Sequence, residues 1–131
     1  MAIHSQPRVL VVDDQLTGRL AMEMHLARWD LDVVQAHNGQ DAVNRCAEER
    51  FDLIFMDLHM PPGIDGIETT RLIRRQGGDN ARVPVIVYTS DAAYADRQVW
   101  SDAGFDGYIF KAVTDAALVE VLDRWKLLEN R

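Results

Sequence analysis

A single cysteine in 131 residues has nothing to pair with, so an internal disulfide is excluded and Cys46 fits a reducing cytoplasm, the expected location. Ala42, Val43 and Ala47 put that thiol on the apolar side of an amphipathic stretch, where it reads as a buried, inert small hydrophobe. No apolar run exceeds strand length, so none is long enough for a membrane span. The N-terminus lacks an apolar core of signal-peptide length. There is no basic run, and the formal net charge is −7; the chain's own field would not hold nucleic acid or an anionic membrane surface. His4, His25, His37 and His59 have no zinc-site spacing, and none is expected to ligate through its ring. Internal repeats and low-complexity tracts are also missing. With 47% apolar residues, the composition is that of one ordinary globular domain with a proper core.

What is present is a regular alternation. Arg8–Val12, Val33–Ala36, Leu53–Asp57, Val85–Tyr88 and Gly107–Phe110 are short, apolar and rich in β-branched or aromatic residues, so each reads as a strand. Helical spacing follows each one: about 16–29, 40–49, 65–75, 92–103, and a last helix capped by Thr114 and running to about residue 128. Gln76-Gly77-Gly78-Asp79-Asn80 reads as a flexible connection. Five strands alternating with five helices imply parallel pairing through right-handed crossovers, with both sheet faces covered. The expectation is an α/β fold: a three-layer doubly wound five-stranded parallel sheet of strand order 2-1-3-4-5, flavodoxin-like. One domain is expected over 1–131, with 1–7 as a loose leader and Glu129-Asn130-Arg131 ending without a clear linker.

Four of the five strands end in a residue that handles phosphate or metal: Asp13-Asp14, Asp57, Thr89 and Lys111. By itself Asp57 reads equally as a turn cap. A parallel sheet, however, brings all these ends to one edge, where ligands bind in open α/β sheets. Gathered carboxylates repel by about 4 kcal/mol per close pair at an effective dielectric near 20. Lys111 offsets part of this, and a divalent cation would offset more; an all-oxygen donor set suits Mg²⁺. Such a cleft would receive a phosphoryl group, with Asp57 as nucleophile and with Lys111 and Thr89 holding the phosphoryl oxygens.

The pattern Asp13-Asp14, Asp57-Leu58-His59-Met60-Pro61, Asp65-Gly66, Thr89-Ser90 and Gly107-Tyr108-Ile109-Phe110-Lys111 resembles the receiver domain of two-component response regulators over nearly the whole chain. The resemblance implies that a histidine kinase or a histidine-containing phosphotransfer protein donates phosphate to Asp57 with Mg²⁺. It implies a metal held by Asp13, Asp14 (the direct ligand of the pair), Asp57 and the backbone carbonyl of His59. It also implies a switch in which Thr89 moves toward the phosphoryl group and Tyr108 turns inward. The surface of the fourth helix, fifth strand and fifth helix then reports the state to a downstream effector or through a dimer. His59 and Asp91 fall two residues past Asp57 and Thr89, where the family modulates the lifetime of the phosphorylated form; they read equally as solvated loop residues. Such a chain promotes its own phosphorylation and is not expected to turn over an external substrate. It is either a free-standing regulator or the receiver piece of a larger kinase.

Two departures stand out. The family usually has proline after the lysine, joined by a cis bond, whereas here Lys111 precedes Ala112. A cis bond before a non-proline residue costs about 2.5–4 kcal/mol, which favours a trans bond and a rearranged loop. The stretch Met60-Pro61-Pro62-Gly63-Ile64-Asp65-Gly66 is one residue longer than the common form and would reshape a docking edge without touching the chemistry. The first helix carries Gly18, Ala21, Met22, His25, Leu26 and Trp29 on the side expected to meet the sheet. Leu16, Leu20 and Met24 lie on the opposite side and would form a docking ridge for a helical phosphodonor. Trp100 and Trp125 read as packing residues, and Arg74-Arg75 as a solvated face. The competing reading is a receiver-like interaction module that works without phosphorylation. A flavin carrier would need a Ser-, Thr- or Gly-rich loop where Asp13-Asp14 stand, and an Asp-nucleophile phosphohydrolase would usually want an acid at His59.

Overall fold

Strand propensity and apolar content place five strands side by side. A computed structural model describes residues 6–128; residues 1–5, most of the expected leader, and Glu129-Asn130-Arg131 lie outside the described part, as does His4. The order along the chain is β1 (Arg8–Val12), α1 (Leu16–Leu26), β2 (Asp32–Ala36), α2 (Gly39–Glu48), β3 (Leu53–Asp57), α3 (Gly66–Gln76), β4 (Val85–Thr89), α4 (Arg97–Asp102), β5 (Gly107–Phe110) and α5 (Asp115–Arg124). All pairings are parallel and the sheet order is β2-β1-β3-β4-β5, as the alternation predicts.

Side chains alternate across each strand, which divides the core in two. Leu10, Val12, Ile54, Met56, Val85 and Val87 pack with Ala42, Cys46 and Ile73 on the face covered by α2 and α3. Val9, Val11, Leu53, Phe55, Ile86, Tyr88 and Ile109 pack with Met22, Leu26, Leu118 and Leu122 on the face covered by α1 and α5. The register sets Val12 beside Met56 and Asp57 beside Tyr88, so the residues just past β1, β3, β4 and β5 share one edge.

Caps define most helix starts. Asn38 accepts the Asp41 N–H at 2.7 Å, Asp65 the Glu68 N–H at 2.8 Å, and Thr114 the Ala117 N–H at 3.2 Å. Several expectations fail for identifiable reasons. The helix expected over 92–103 is split into a 3₁₀ turn at Ala92–Ala95 and a short α4. Asp91 and Asp96 are the cause: their carboxylates accept the N–H groups of Ala93 and Gln98, each starting a new turn. α5 ends at Arg124, short of residue 128, and Lys126 turns into the left-handed region at φ 66°. α1 stops at Leu26, three residues before Trp29.

The connection after α3 is pinned. Asn80 is fully buried; its amide donates to the Cys46 and Glu49 carbonyls at 2.8 and 2.7 Å, and its carbonyl accepts the Phe51 N–H at 2.9 Å. Arg74 is no solvated residue either. Its guanidinium donates to the Val83 carbonyl and pairs with Asp106 at 2.9 Å, while Asp106 also accepts the Val85 N–H. Arg75 is exposed, as expected. Cys46 is buried, and burial pushes its thiol up to about 12, which fits an inert side chain.

Candidate functional site

At the strand tips, carboxylate oxygens of Asp13, Asp14 and Asp57 all lie within 4.8 Å of one another. Asp13 and Asp57 are buried and Asp14 is half-buried. Each is placed by its backbone: Asp13-Asp14 follow β1, and Asp57 closes β3. Gly66 opens α3 directly behind Asp57, where a Cβ would stand 2.4 Å from the Asp57 carbonyl oxygen. Only glycine lets the helix approach that closely.

Lys111 reaches this cluster from the end of β5. Its Nζ lies 3.1 Å from Asp57 Oδ2 and 3.9 Å from Asp13 Oδ2, and its backbone N–H donates to the Thr89 carbonyl at 3.1 Å. The Lys111–Ala112 bond is trans, as the energetics favour, and the lysine is still aimed at Asp57; the cis bond among the described residues is Pro61–Pro62. The missing proline therefore does not disarm the ammonium.

Burial raises the Asp57 carboxyl to about 6; Lys111 opposes the rise and Asp13 adds to it. Asp57 Oδ2 has the Lys111 ion pair but no aligned hydrogen bond, although it is buried. Asp13 is held more completely. Its Oδ1 accepts the Gln15 N–H at 2.9 Å, its Oδ2 accepts the Tyr88 hydroxyl, and Arg19 grips its carbonyl at 2.8 Å. Burial, then the bond to Asp13, pushes the Tyr88 hydroxyl far above its ordinary range. Three gathered carboxylates, one with an oxygen that lacks an aligned hydrogen bond, fit a hard divalent cation better than any softer metal.

The remaining sequence candidates sort by position. Thr89 is buried at the tip of β4, and its Oγ1 accepts the Asp91 N–H at 3.1 Å. Asp91 is exposed with its carboxylate committed to capping Ala93, and the His59 side chain is exposed. Tyr108 is half-buried against the α2/α3 face of the core, with its hydroxyl raised first by burial and then by Asp91. Leu16, Leu20 and Met24 are 56, 46 and 77% exposed along one side of α1. Of the side expected to meet the sheet, Met22 and Leu26 are fully buried, Gly18, His25 and Trp29 are half-buried, and Ala21 is exposed. In the loop after Asp57, Leu58 and Met60 are buried while Pro61, Pro62 and Gly63 are exposed. Gln15, Gly18, Arg19 and Tyr88 all lie against Asp13, a place at the cleft that their sequence positions did not suggest. Tyr88 looks like any aromatic in a strand, and only its place beside Thr89 hints at the cleft.

A family model described as the response regulator receiver domain matches residues 9–123. The transcriptional regulatory protein ResD of Bacillus subtilis is 36% identical over 127 residues, which cover 97% of this chain and 50% of that protein. Hybrid signal transduction histidine kinase E of Dictyostelium discoideum is 37% identical over 119 residues, 88% of this chain and 7% of that protein. The chain thus spans half or less of these relatives' lengths. Among solved structures, the receiver domain of a sensor histidine kinase from Pseudomonas aeruginosa, with a magnesium ion coordinated in its active-site cleft, superposes with a TM-score of 0.80 at 30% identity, covering 92% of this chain and 98% of that one. Fold, strand-tip acids and family match agree: the chain belongs to the response regulator receiver domain family of two-component systems.

Proposed function

We propose that Asp57 accepts a phosphoryl group from a phosphohistidine on a histidine kinase or histidine-containing phosphotransfer protein. In this reading Asp13, Asp14, Asp57 and the backbone carbonyl of His59 hold Mg²⁺. The observation that carries it is a buried carboxylate oxygen of Asp57 with no aligned hydrogen bond, 3.1 Å from the Lys111 ammonium and beside two further acids. An Asp57 oxygen attacks phosphorus; the O–P bond forms as the P–N bond breaks, and the electron pair returns to the donor's imidazole nitrogen. Bound Mg²⁺ supplies positive charge against the crowded carboxylates and the incoming phosphoryl oxygens. Lys111 holds one phosphoryl oxygen. The Thr89 hydroxyl, whose oxygen already accepts from Asp91, has its own proton available to donate to another.

Phosphorylation adds about −1.5 to −2 charge at the cleft. Movement of Thr89 toward that charge and inward rotation of Tyr108 then alter the face formed by α4, β5 and α5, where Phe110 and Val119 are exposed. That face serves a downstream effector or a second copy of the chain. Leu16, Leu20 and Met24 receive the phosphodonor, and His59 and Asp91 set how readily water reaches the phosphoryl group. The chain works as one cytoplasmic receiver unit that promotes its own phosphorylation without turning over an external substrate.

Incubation with Mg²⁺ and acetyl phosphate tests the core of this. The wild-type chain should gain the mass of one phosphoryl group and Asp57→Asn should gain none. No gain by the wild type from acetyl phosphate or any phosphohistidine donor would leave an interaction module that works without phosphorylation.

A further inference from the structure

We propose that Tyr88 is a positioning residue that weakens the cation affinity of the acidic pocket by holding one oxygen of Asp13. The idea rests on the reading of this cleft as the Mg²⁺-assisted phosphoacceptor site. Tyr88 closes neither the hydrophobic core nor the acidic cleft alone; it belongs to both. Its ring packs among Ile86, Phe55 and Met22 on the α1/α5 face, and its hydroxyl donates to the buried Oδ2 of Asp13. Lys111 Nζ sits 5.4 Å from the ring centroid, so the same side chain flanks the ammonium aimed at Asp57.

The Asp13 carboxylate is fully buried, with the Asp14 and Asp57 carboxylates within 4.8 Å of it, and further groups reach it from β5, α1 and the β1–α1 turn. The Gln15 N–H of the β1–α1 turn takes Oδ1 at 2.9 Å, and Lys111 from β5 stands 3.9 Å from Oδ2. Gly18 of α1 leaves so little room that a Cβ there would lie 2.0 Å from Oδ2. Tyr88 supplies the hydroxyl bond to Oδ2 within this enclosure. A hydroxyl donates more strongly to a free carboxylate than to one whose charge a dication already draws away. The Tyr88 bond therefore stabilises the metal-free pocket more than the metal-bound one, and the difference opposes binding.

Tyr88→Phe keeps the ring, its packing and the cation–π contact, and removes only the donor. Calorimetric titration of Mg²⁺ should show binding tightened by roughly three- to tenfold, a share of the strength of a hydrogen bond to a charged group. At Mg²⁺ below the wild-type Kd, mass gain from acetyl phosphate should be faster in the variant. In an Asp13→Asn background, Tyr88→Phe should leave Mg²⁺ affinity within about twofold, because the group through which it acts is gone. Thermal unfolding in EDTA establishes that each variant is folded. Damage to packing alone would weaken Mg²⁺ binding, so unchanged or weakened affinity in Tyr88→Phe overturns the proposal, as does an equal tightening in the Asp13→Asn background. If no chain gains phosphoryl mass, the phosphoacceptor reading falls, while the Mg²⁺ titrations still decide the role of Tyr88.

Discussion

Asp57 carries an electrostatic cost that the fold imposes and a cation would relieve. Its carboxyl titrates near 6 when folded, against 3.8 in the unfolded chain, with burial as the main cause. Between those values the native state retains a proton that the unfolded state has lost, so stability falls as pH rises through this window and the penalty persists above it. Asp57→Asn removes the penalty. In EDTA at pH 7 the variant should be more stable than wild type by about 3 kcal/mol, the equivalent of roughly two pKa units. At pH 3.5 the two should coincide, and Mg²⁺ at pH 7 should narrow the gap. Urea unfolding at both pH values, with and without the cation, checks each statement. Lys111 acts on the same carboxylate from 3.1 Å. Lys111→Ala should slow phosphorylation by acetyl phosphate roughly 10²-fold, the scale found when one preorganised donor to a developing oxyanion is removed.

Elements decide who can approach the cleft. The exposed side of α1 is apolar at Leu16, Leu20 and Met24 and begins beside Asp14. Leu20→Glu should slow phosphotransfer from a protein donor at least tenfold, since one charge in an apolar contact costs upwards of about 1.4 kcal/mol. Phosphorylation by acetyl phosphate should be unaffected, and equal slowing by both donors would refute the ridge. The turn after α3 makes a separate claim. Asn80 ties α2 to the segment leading into β3 through three hydrogen bonds, two of them buried. Asn80→Ala should cost about 2–4 kcal/mol in urea unfolding. A loss below about 1 kcal/mol would mean that the turn is held by something else.

At the level of the whole molecule, five strands, their order and the shared edge were legible because the signals are local and repeated. Apolar runs of strand length between helical segments leave few topologies open. The acids, Thr89 and Lys111 were legible for the same reason, since each terminates a strand. What failed were positions where a polar residue has two local uses. Asp91 reads as a rim or loop residue and Asp96 as part of one continuous helix, yet both act as caps; Asn80 reads as part of a flexible connection but is a buried staple. Arg74 reads as half of a solvated pair, yet it bonds to a strand-entry carbonyl and to Asp106, distant in the chain.

By itself the sequence determined the layered parallel sheet and the collection of strand-tip residues, because hydrophobic periodicity and parallel connection are properties of short segments. Tertiary structure alone decided that Lys111 points at Asp57 across a trans bond, and that Tyr88 reaches Asp13. It also decided that the Asp57 oxygen paired with Lys111 has no aligned hydrogen bond. These depend on distances between side chains far apart in the chain, which no pattern along it encodes.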